Sequence, residues 1–252
     1  MHSNIIFEVK DNIGFITLNN KKTLNAWDFA MRSQLILLIR SIQKNKKIRA
    51  LIFRGAGRKA FCSGQNLNEI DKFDNPKKVA SWINQFKTLY KLIKLLQIPT
   101  IAAINGVAAG SGFQLALLAD IKISHPKAKL GQVEINSGIV SIVGPWIIEK
   151  TLGISNAIEL SITGKLLSGK EAYRIGAINH LVEQNEVLKK SIEVAKELAL
   201  KPSNAMSLTK KRLGEMFCKD IETTFKQALI YHKKSFKVGD PQKGSKKFFK
   251  KK

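Results

Sequence analysis

One stretch of this chain, residues 98–120, constrains the possible folds more than any other. It reads IPTIAAINGVAAGSGFQLALLAD. The apolar run at 100–104 is too short for a stable helix and ends at Asn105-Gly106, which predicts a buried strand. Gly110-Ser111-Gly112 then leads into the run 113–119, which has few polar positions and predicts a buried helix.

A glycine-rich turn before a buried helix has two interpretations. Its amide N–H groups are unpaired and are backed by the positive end of the helix dipole, so the turn can stabilise negative charge on a ligand. Alternatively, the glycines only permit close packing of the backbone. The turn by itself does not decide between these two interpretations.

Length and composition predict an ordinary globular protein. The 252 residues suffice for one large domain or one and a half, and the apolar fraction of 44% and charged fraction of 25% are typical of soluble proteins. No apolar run reaches the roughly 18 residues of a membrane span, and the N-terminus lacks the apolar segment of a signal peptide. Cys62 and Cys218 form no metal-binding or disulfide pattern, so we expect a cytoplasmic protein with no metal site.

The net charge of +24 has more than one interpretation. It is compatible with nucleic acid, a membrane surface or an anionic small molecule as partner. Only seven of the 43 basic residues are arginine, the residue that nucleic-acid readers favour for forked contacts. We therefore interpret the lysines as solvated surface, with binding to a polyanion as the alternative.

The order of the predicted elements indicates an α/β fold built from repeated β-β-α units. Alternating apolar residues at 5–9 and 15–18 predict a β-hairpin, and Asp28 is a candidate N-cap. The predicted helix that follows has an apolar face. The remaining N-terminal segments predict two more strands, a loop and a long helix. The apolar face of the helix after Asp28 consists of Phe29, Leu35, Leu38, Ile39 and Ile42. The further strands are predicted at 48–53 and 121–124, the loop at 61–67 and the long helix at 76–96.

The C-terminal part carries mainly helical spacing. Phe225, Leu229, His232 and Phe236 form one apolar stripe, which we expect the strand-rich core or a neighbouring subunit to cover. Asp240-Pro241 is expected to end that helix before a lysine-rich tail. The predicted helices are 155–163, 168–175, 185–200, 203–217 and 221–236, with a strand at 178–182. The predicted domain division is a core at 1–196 and a helical region at 197–252.

Several common active-site motifs are absent from the sequence. Gly110-Ser111-Gly112 lacks the third glycine of a dinucleotide fingerprint, and neither a phosphate-binding P-loop nor a G-x-S-x-G nucleophile motif occurs. The four histidines show no spacing suited to metal or catalysis. His125, just before Pro126, is expected to face solvent.

Two turns of small residues remain as candidates for chemistry. The turns at 62–65 and 110–112 each follow a predicted strand or apolar segment, and two of their amides converging on one oxygen would form an oxyanion hole. A carboxylate nearby would then move protons, and Glu134 is the candidate. A surface or helix-capping role for Glu134 is the alternative that the sequence leaves open.

Four segments together resemble the crotonase superfamily of enoyl-CoA hydratases and isomerases. They are AFCSGQNL at 60–67, the stretch at 98–120, LGQVE at 130–134 and ELSITGKLLSGKEAYRIGAINHLV at 159–182. The resemblance runs from about residue 5 to residue 250. It implies a spiral of β-β-α units, a C-terminal helical region used for trimerisation, and a coenzyme A thioester as substrate.

The resemblance also implies roles for individual residues. It assigns the N–H groups of Gln65 and Ser111 to the oxyanion hole, although most relatives have glycine at position 111. Asn66 stands where relatives often have aspartate, which weakens any role for its side chain. The remaining contacts to coenzyme or substrate implied by the resemblance are Lys22, Leu24, Ala26, Leu67, Gly110 and Lys210.

The most informative departure from the family pattern is Gln114. Hydratases of this family use two glutamates 20 residues apart, and Gln114 and Glu134 occupy those two places. An amide cannot take a proton at neutral pH, so Glu134 is left as the single acid/base. Relatives that shift a double bond often keep only the second glutamate. Ring-isomerising and dehalogenating relatives place an aspartate where this chain has Ile142, so that branch is disfavoured.

The sequence therefore predicts an enzyme acting on an acyl-CoA thioester. The expected reaction is a double-bond shift in an enoyl-CoA, with hydration of a 2-enoyl-CoA as the nearest alternative. A non-catalytic, RNA-binding relative and an inactive subunit of a larger complex are further alternatives. We expect a homotrimer or a dimer of trimers with no metal or redox cofactor, no membrane partner and no nucleic-acid partner.

Overall fold

The computed structural model describes residues 4–73 and 75–250. In this part of the chain, the strands form a six-stranded sheet of order β1-β2-β3-β5-β7-β10 and a four-stranded sheet of order β4-β6-β8-β9. The strands are β1 Ile5–Lys10, β2 Ile13–Leu18, β3 Ala50–Gly55, β4 Ala60–Cys62, β5 Thr100–Ile104, β6 Val107–Ala109, β7 Ile121–Ser124, β8 Lys129–Gly131, β9 Leu167–Ser168 and β10 His180–Leu181.

The larger sheet begins with the predicted hairpin, which is confirmed. β1 pairs antiparallel with β2, and Asp11 and Asn12 between them have φ of 50° and 62°. Such left-handed residues suit a two-residue hairpin because their twist matches that of the strands. From β2 onward the neighbouring strands are parallel. The central strands β3 and β5 are almost wholly buried, as predicted for short apolar runs.

Helices cover the sheets and form most of the C-terminal part. They are α1 Phe29–Lys44, α2 Pro76–Lys94, α3 Ser111–Leu118, α4 Val143–Leu152, α5 Ile154–Thr163, α6 Gly169–Arg174, α7 Val187–Ala199, α8 Ser203–Cys218, α9 Ile221–Val238 and α10 Asp240–Lys250. The Asp28 side chain accepts a hydrogen bond of 2.8 Å from the Met31 N–H, so the predicted N-cap of α1 is confirmed. None of the helices that the structure describes is long and apolar enough to cross a membrane.

The smaller sheet positions the site. β4, β6 and β8 are adjacent and parallel, although each is only three residues long. Their carboxyl ends therefore meet at one edge of the sheet, where ligands of open α/β sheets characteristically bind. The segments that leave this edge are Ser63–Gln65 after β4, Gly110–Ser111 after β6 and the short 3-10 helix Glu134–Ser137 after β8.

Two expectations about exposure are wrong. His125 is only 5% exposed and its Nε2 is buried, and the backbone of Gly169 at the start of α6 packs against its carbonyl. Phe29, expected on the buried face of α1, is half exposed because it is the first residue of the helix and lies at the rim of the core. Leu35, Ile39 and Ile42 on the same face are buried as expected.

The apolar stripe on α9 is covered by this chain and not by a neighbour. Phe225 and Phe236 are buried, and Trp82 on α2 lies edge-on to both His232 and Phe236. Aromatic edge-to-face pairs of this kind add to the energy of burial. Of the two coverings expected for this stripe, packing within the same chain is the one that the structure shows.

The chain after α9 is also more ordered than the sequence indicates. Gly239, with φ of 86°, ends α9, and Asp240-Pro241 begins α10 instead of a structureless tail. α10 packs tightly against the short 3-10 helix at 134–137. A Cβ added at Gly244 would lie only 2.0 Å from the Ser137 carbonyl oxygen. The predicted domain boundary after residue 196 lies inside α7, whose helical spacing continues to Ala199.

Candidate active site

The segments after β4 and β6 lie against each other. Gly64 has φ of 93°, and a Cβ there would come within 2.6 Å of the Ala109 carbonyl oxygen and 3.3 Å of the Ser111 nitrogen. Only glycine accommodates both the backbone angle and this close approach. The two turns that the sequence singled out are thus brought together as predicted.

Each of these segments presents a free amide. Ser111 is the first residue of α3, so its N–H has no intrahelical acceptor. Gln65 forms a bridge with Trp27, in which Gly64 and Asn66 make the hydrogen bonds. Among the residues that the structure describes, none accepts a hydrogen bond from the N–H of Gln65 or Ser111.

Glu134 is held beside the same turn. A Cβ at Gly110 would lie 3.1 Å from Glu134 Oε1 and 3.4 Å from Oε2, so any side chain there would crowd the carboxylate. Gly110 also has φ of 54° with ψ of −128°, a combination that side chains disfavour. Glu134 Oε2 is buried and has no hydrogen-bond partner in the described part of the chain. The alternative of a surface glutamate is therefore wrong.

Hydrogen bonds that run from Tyr90 through Gln114 fix the position of the Glu134 carboxylate. Tyr90 donates its hydroxyl to Gln114 Oε1 at 2.8 Å, and Gln114 Nε2 donates to Glu134 Oε1 at 2.9 Å. Because burial raises the pKa of Tyr90 well above 10, the phenol stays protonated and remains a donor. The Gln114 amide is thus oriented with its nitrogen towards Glu134, where it acts as a donor and not as a base.

Burial sets the ionisation of Glu134. Loss of hydration raises its pKa from 4.5 to about 7, and hydrogen bonds from neighbouring groups only partly offset this effect. A carboxyl group with a pKa near neutrality can both accept and return a proton at physiological pH. Perturbed values of this kind are frequent at catalytic positions.

A buried arginine supports the Gln65 segment from behind. Arg32 has no exposed surface; its Nη1 donates to Gln65 Oε1 at 2.8 Å and to the Trp27 carbonyl at 3.2 Å. Trp82 Nε1 donates to the same Gln65 oxygen at 3.0 Å. Burial lowers the pKa of Arg32 to about 10, so it remains charged at neutral pH. Its Nη2 lies 3.6 Å from Glu69 Oε2.

Gln65, Ser111, Gln114 and Glu134 line a cavity of about 790 Å³. Ten of the eleven residues predicted for the site contribute to its wall: Lys22, Leu24, Ala26, Gln65, Asn66, Leu67, Gly110, Ser111, Gln114 and Glu134. The Asn66 side chain accepts a hydrogen bond from the Asn68 N–H and caps a short helix. No cluster of three or more potential metal ligands occurs within residues 4–73 and 75–250.

Lys210 does not lie at this cavity. It is 5% exposed, and its ammonium contacts both carboxylate oxygens of Asp120 at 2.6 Å. Asp120 also accepts from the backbone and hydroxyl of Thr100. This buried ion pair ties α8 to the sheet, and the expected contact of Lys210 with a coenzyme has no support from this geometry.

Comparison with known proteins gives the family. The family model described as Enoyl-CoA hydratase/isomerase matches residues 8–252, nearly the whole chain. This protein belongs to the enoyl-CoA hydratase/isomerase family.

The similarity to individual family members is consistent along the chain. A short-chain-enoyl-CoA hydratase of Clostridium acetobutylicum is 29% identical over 93% of this chain and 88% of that protein. The 1,2-epoxyphenylacetyl-CoA isomerase of Escherichia coli is 28% identical over 95% of this chain and 93% of that protein. The crystal structure of an enoyl-CoA hydratase/isomerase from Mycobacterium paratuberculosis superposes with a TM-score of 0.90 at 25% identity, covering 98% of this chain and 99% of the other. The crotonase-like fold is therefore confirmed.

Several residues at the site of this hydratase/isomerase family member are not predicted by the sequence. Trp82, Phe86 and Tyr90 line the cavity from α2, and His232 lines it from α9. Their helical spacing predicts only a core-facing stripe, which gives no signal for a ligand. His232 is neutral, because burial lowers its pKa to about 4. α10 adds Lys247 and the aromatic pair at 248–249, in the segment expected to be a tail.

Proposed function

We propose that this protein shifts the double bond of an enoyl-CoA from position 3 to position 2. The observation that supports this most directly is the lone carboxylate. Of the described residues that line the cavity, Glu134 alone carries a carboxyl group, and the neighbouring Gln114 amide donates to it. A double-bond shift needs one group that takes a proton and returns it to another carbon.

In the proposed mechanism, the thioester oxygen accepts hydrogen bonds from the Gln65 and Ser111 N–H groups. Ionised Glu134 removes a proton from C2 of the 3-enoyl-CoA, and the electron pair passes to the thioester oxygen as a dienolate. The same carboxyl group then returns the proton to C4, which gives the 2-enoyl-CoA. Each amide donor contributes roughly 3 kcal/mol to stabilisation of the charged intermediate and the transition states leading to it.

Hydration of a 2-enoyl-CoA is the second candidate. It is favoured by the similarity to the Clostridium acetobutylicum protein, which is named a hydratase. In this case Glu134 would activate water and Gln114 would only hold it. Purified protein should be assayed with matched 3-enoyl-CoA and 2-enoyl-CoA substrates. Faster isomerisation than hydration is expected, and hydration that outpaces isomerisation would reject the first candidate.

Replacing Gln114 with glutamate is expected to increase water addition to 2-enoyl-CoA. The new carboxylate would lie about where Gln114 Nε2 now stands, 2.9 Å from Glu134 Oε1, so the pair would share one proton near neutral pH. The ratio of hydration to isomerisation, measured on the same protein sample, should rise. Gln114→Ala is the matched control, because it removes the amide without adding a carboxylate. An unchanged ratio in Gln114→Glu would contradict the prediction.

We also propose that the protein assembles as a homotrimer or a dimer of trimers. Ile154, Ile158 and Ile162 are each more than half exposed and lie one turn apart on α5. Ile135 and Leu166 are each a little under half exposed. A contiguous apolar surface of this kind characteristically marks a contact with another protein, and a second copy of this chain is the partner that we propose.

The substitution Ile158→Asp is expected to dissociate this assembly. A charge placed at the centre of the stripe would be buried without a partner, at a cost of several kcal/mol for each contact. Light scattering should give a smaller mass for Ile158→Asp than for the unmodified protein. Leu37→Asp is the matched control, since Leu37 is 65% exposed on α1 away from the stripe. A stable monomer in the unmodified protein at micromolar concentration would contradict the proposal.

A further inference from the structure

The side chain of Ser111 takes part in a contact that the proposed mechanism does not use. Trp27 is fully buried, and its Nε1–H donates to Ser111 Oγ at 2.8 Å. This is a side-chain hydrogen bond between residues 84 positions apart. It lies directly beside one of the two free amides, because Ser111 supplies both the hydroxyl and the N–H.

Trp27 is joined to the other amide-bearing segment as well. Its N–H donates to the Gly64 carbonyl at 3.0 Å, and its carbonyl accepts from the Asn66 N–H at 3.0 Å. The same carbonyl accepts from Arg32. The backbone of Trp27 thus holds the segment around Gln65, while its indole holds Ser111. One residue therefore sets the spacing between the two free N–H groups.

The hydroxyl of Ser111 keeps a proton to donate. A serine hydroxyl has one donor and two acceptor positions, and the Trp27 indole occupies an acceptor position. In the described part of the chain, no group accepts the Ser111 O–H, although the residue is only 7% exposed and lines the cavity. A Cβ placed on Gly64 would lie 3.3 Å from the Ser111 nitrogen and 3.4 Å from Oγ. Both polar atoms of Ser111 therefore lie on the side of the Gly64–Gln65 segment.

We propose that the Ser111 hydroxyl is a third hydrogen-bond donor to the thioester oxygen, and that Trp27 is the positioning residue that orients it. This inference rests on the proposed function, since it requires an acyl-CoA thioester in the cavity. A serine at the start of α3 supplies two donors where a glycine supplies one. The additional donor strengthens as negative charge develops on the oxygen, because hydrogen bonds to charged acceptors are the stronger ones.

The probe for this inference is 4-dimethylaminocinnamoyl-CoA, a conjugated thioester whose absorption moves to longer wavelength as its carbonyl is polarised. We expect the unmodified protein to shift its absorption maximum to the red on binding and Ser111→Ala to reduce this shift. Ser111→Ala should also lower kcat for isomerisation by about 10- to 100-fold with little change in KM. Ser111→Thr, which retains a hydroxyl, should keep most of the red shift and most of the kcat of the unmodified protein.

Trp27→Phe separates positioning from donation. It removes the indole N–H and keeps an aromatic ring in the core. Like Ser111→Ala, it should therefore reduce the red shift. The double variant should be no worse in kcat than the more impaired single variant, since both changes disrupt one interaction. Ser124→Ala is the matched control. Ser124 is also buried and donates to the Ile104 carbonyl outside the cavity, so its loss should lower stability and leave the red shift unchanged.

The outcomes distinguish this inference from the proposed function. A red shift and kcat in Ser111→Ala equal to those of the unmodified protein would overturn the role of the hydroxyl and leave the two amide donors in place. A thioester that binds the unmodified protein with no red shift would overturn both the hydroxyl and the amide donors. Circular dichroism of each variant confirms that the comparison is made between folded proteins.

Discussion

Replacing Glu134 with glutamine is expected to lower kcat for isomerisation by about 10²- to 10⁴-fold, the usual contribution of a positioned acid/base group. The thioester should still bind, because the free amides of Gln65 and Ser111 remain in place. The loss should therefore fall on kcat far more than on KM. Steady-state kinetics with a 3-enoyl-CoA measure this split, and a variant that retains most of its turnover would exclude Glu134 as the base.

The pH dependence of the same reaction checks the environment of Glu134. The carboxylate must be ionised to take the first proton, and burial raises its pKa to about 7. The rate is therefore expected to rise between about pH 6 and pH 8, with half of its maximum near pH 7. A profile that is already flat at pH 5 would mean that the carboxylate keeps an ordinary pKa and is hydrated in the free enzyme.

The stability of the folded protein should fall as the pH rises, whereas the rate of isomerisation should increase. The folded protein favours the protonated carboxyl group, so the contribution to stability is fully present below the unfolded pKa of 4.5 and is lost as the pH rises through about 7. Above pH 7 the ionised group costs about 3 kcal/mol of folding free energy. Glu134→Gln should consequently unfold at higher denaturant concentration than the unmodified protein at pH 8, and this advantage should shrink towards pH 5.

Replacing Gly64 with alanine is expected to be the most damaging change outside the acid/base group. The φ of 93° strains any side chain, and the new Cβ would lie 2.6 Å from the Ala109 carbonyl oxygen. Backbone has to move, so the segments carrying Gln65 and Ser111 would separate. We expect kcat to fall by about 10²- to 10³-fold, as for the loss of one hydrogen-bond donor to an oxyanion, together with a cost of more than about 1–3 kcal/mol in stability.

Gly176→Ala is the matched control for this prediction. Gly176 has a φ of 80°, similar to that of Gly64, but a Cβ there would meet no atom within 4 Å. The control therefore carries the backbone strain without the clash. The free energy of unfolding of Gly176→Ala, measured by heat or denaturant, should be about 1 kcal/mol or more below that of the unmodified protein, and its kcat should be unchanged. Equal kinetic effects in the two variants would show that strain, and not the convergence of the two segments, is responsible.

Local sequence patterns predict much of the site. Small residues, strand endings and side-chain chemistry identify the turns at 62–65 and 110–112 and the residue Glu134, and the structure brings all three to one cavity. The resemblance to the crotonase superfamily adds Gln114 as the amide that stands in place of a second carboxylate. These features are predictable because turn preference and chemical identity are properties of the residues themselves.

Other features depend on contacts that the sequence does not encode locally. The expectations for His125 and Phe29 are wrong because exposure depends on which element packs against each residue. The stripe on α9 is apolar as predicted, yet apolarity does not say whether the covering surface belongs to the same chain, and Trp82 supplies it here. The segment after Gly239 resembles a tail because lysines dominate it, although its packing against Ser137 makes it a helix.

The sequence by itself determined the strands of the larger sheet, most of the helices, the two tight turns and the residue that can carry a proton. Only the tertiary structure decided that three strands of three residues lie side by side, so that their carboxyl ends deliver the Gln65 amide, the Ser111 amide and Glu134 to one place. It also decided that Tyr90 orients Gln114 and that Trp27 reaches Ser111. The physical reason is that hydrophobic periodicity is a short-range signal, whereas hydrogen bonds between distant residues and the loss of hydration at Glu134 arise only when separate elements pack together.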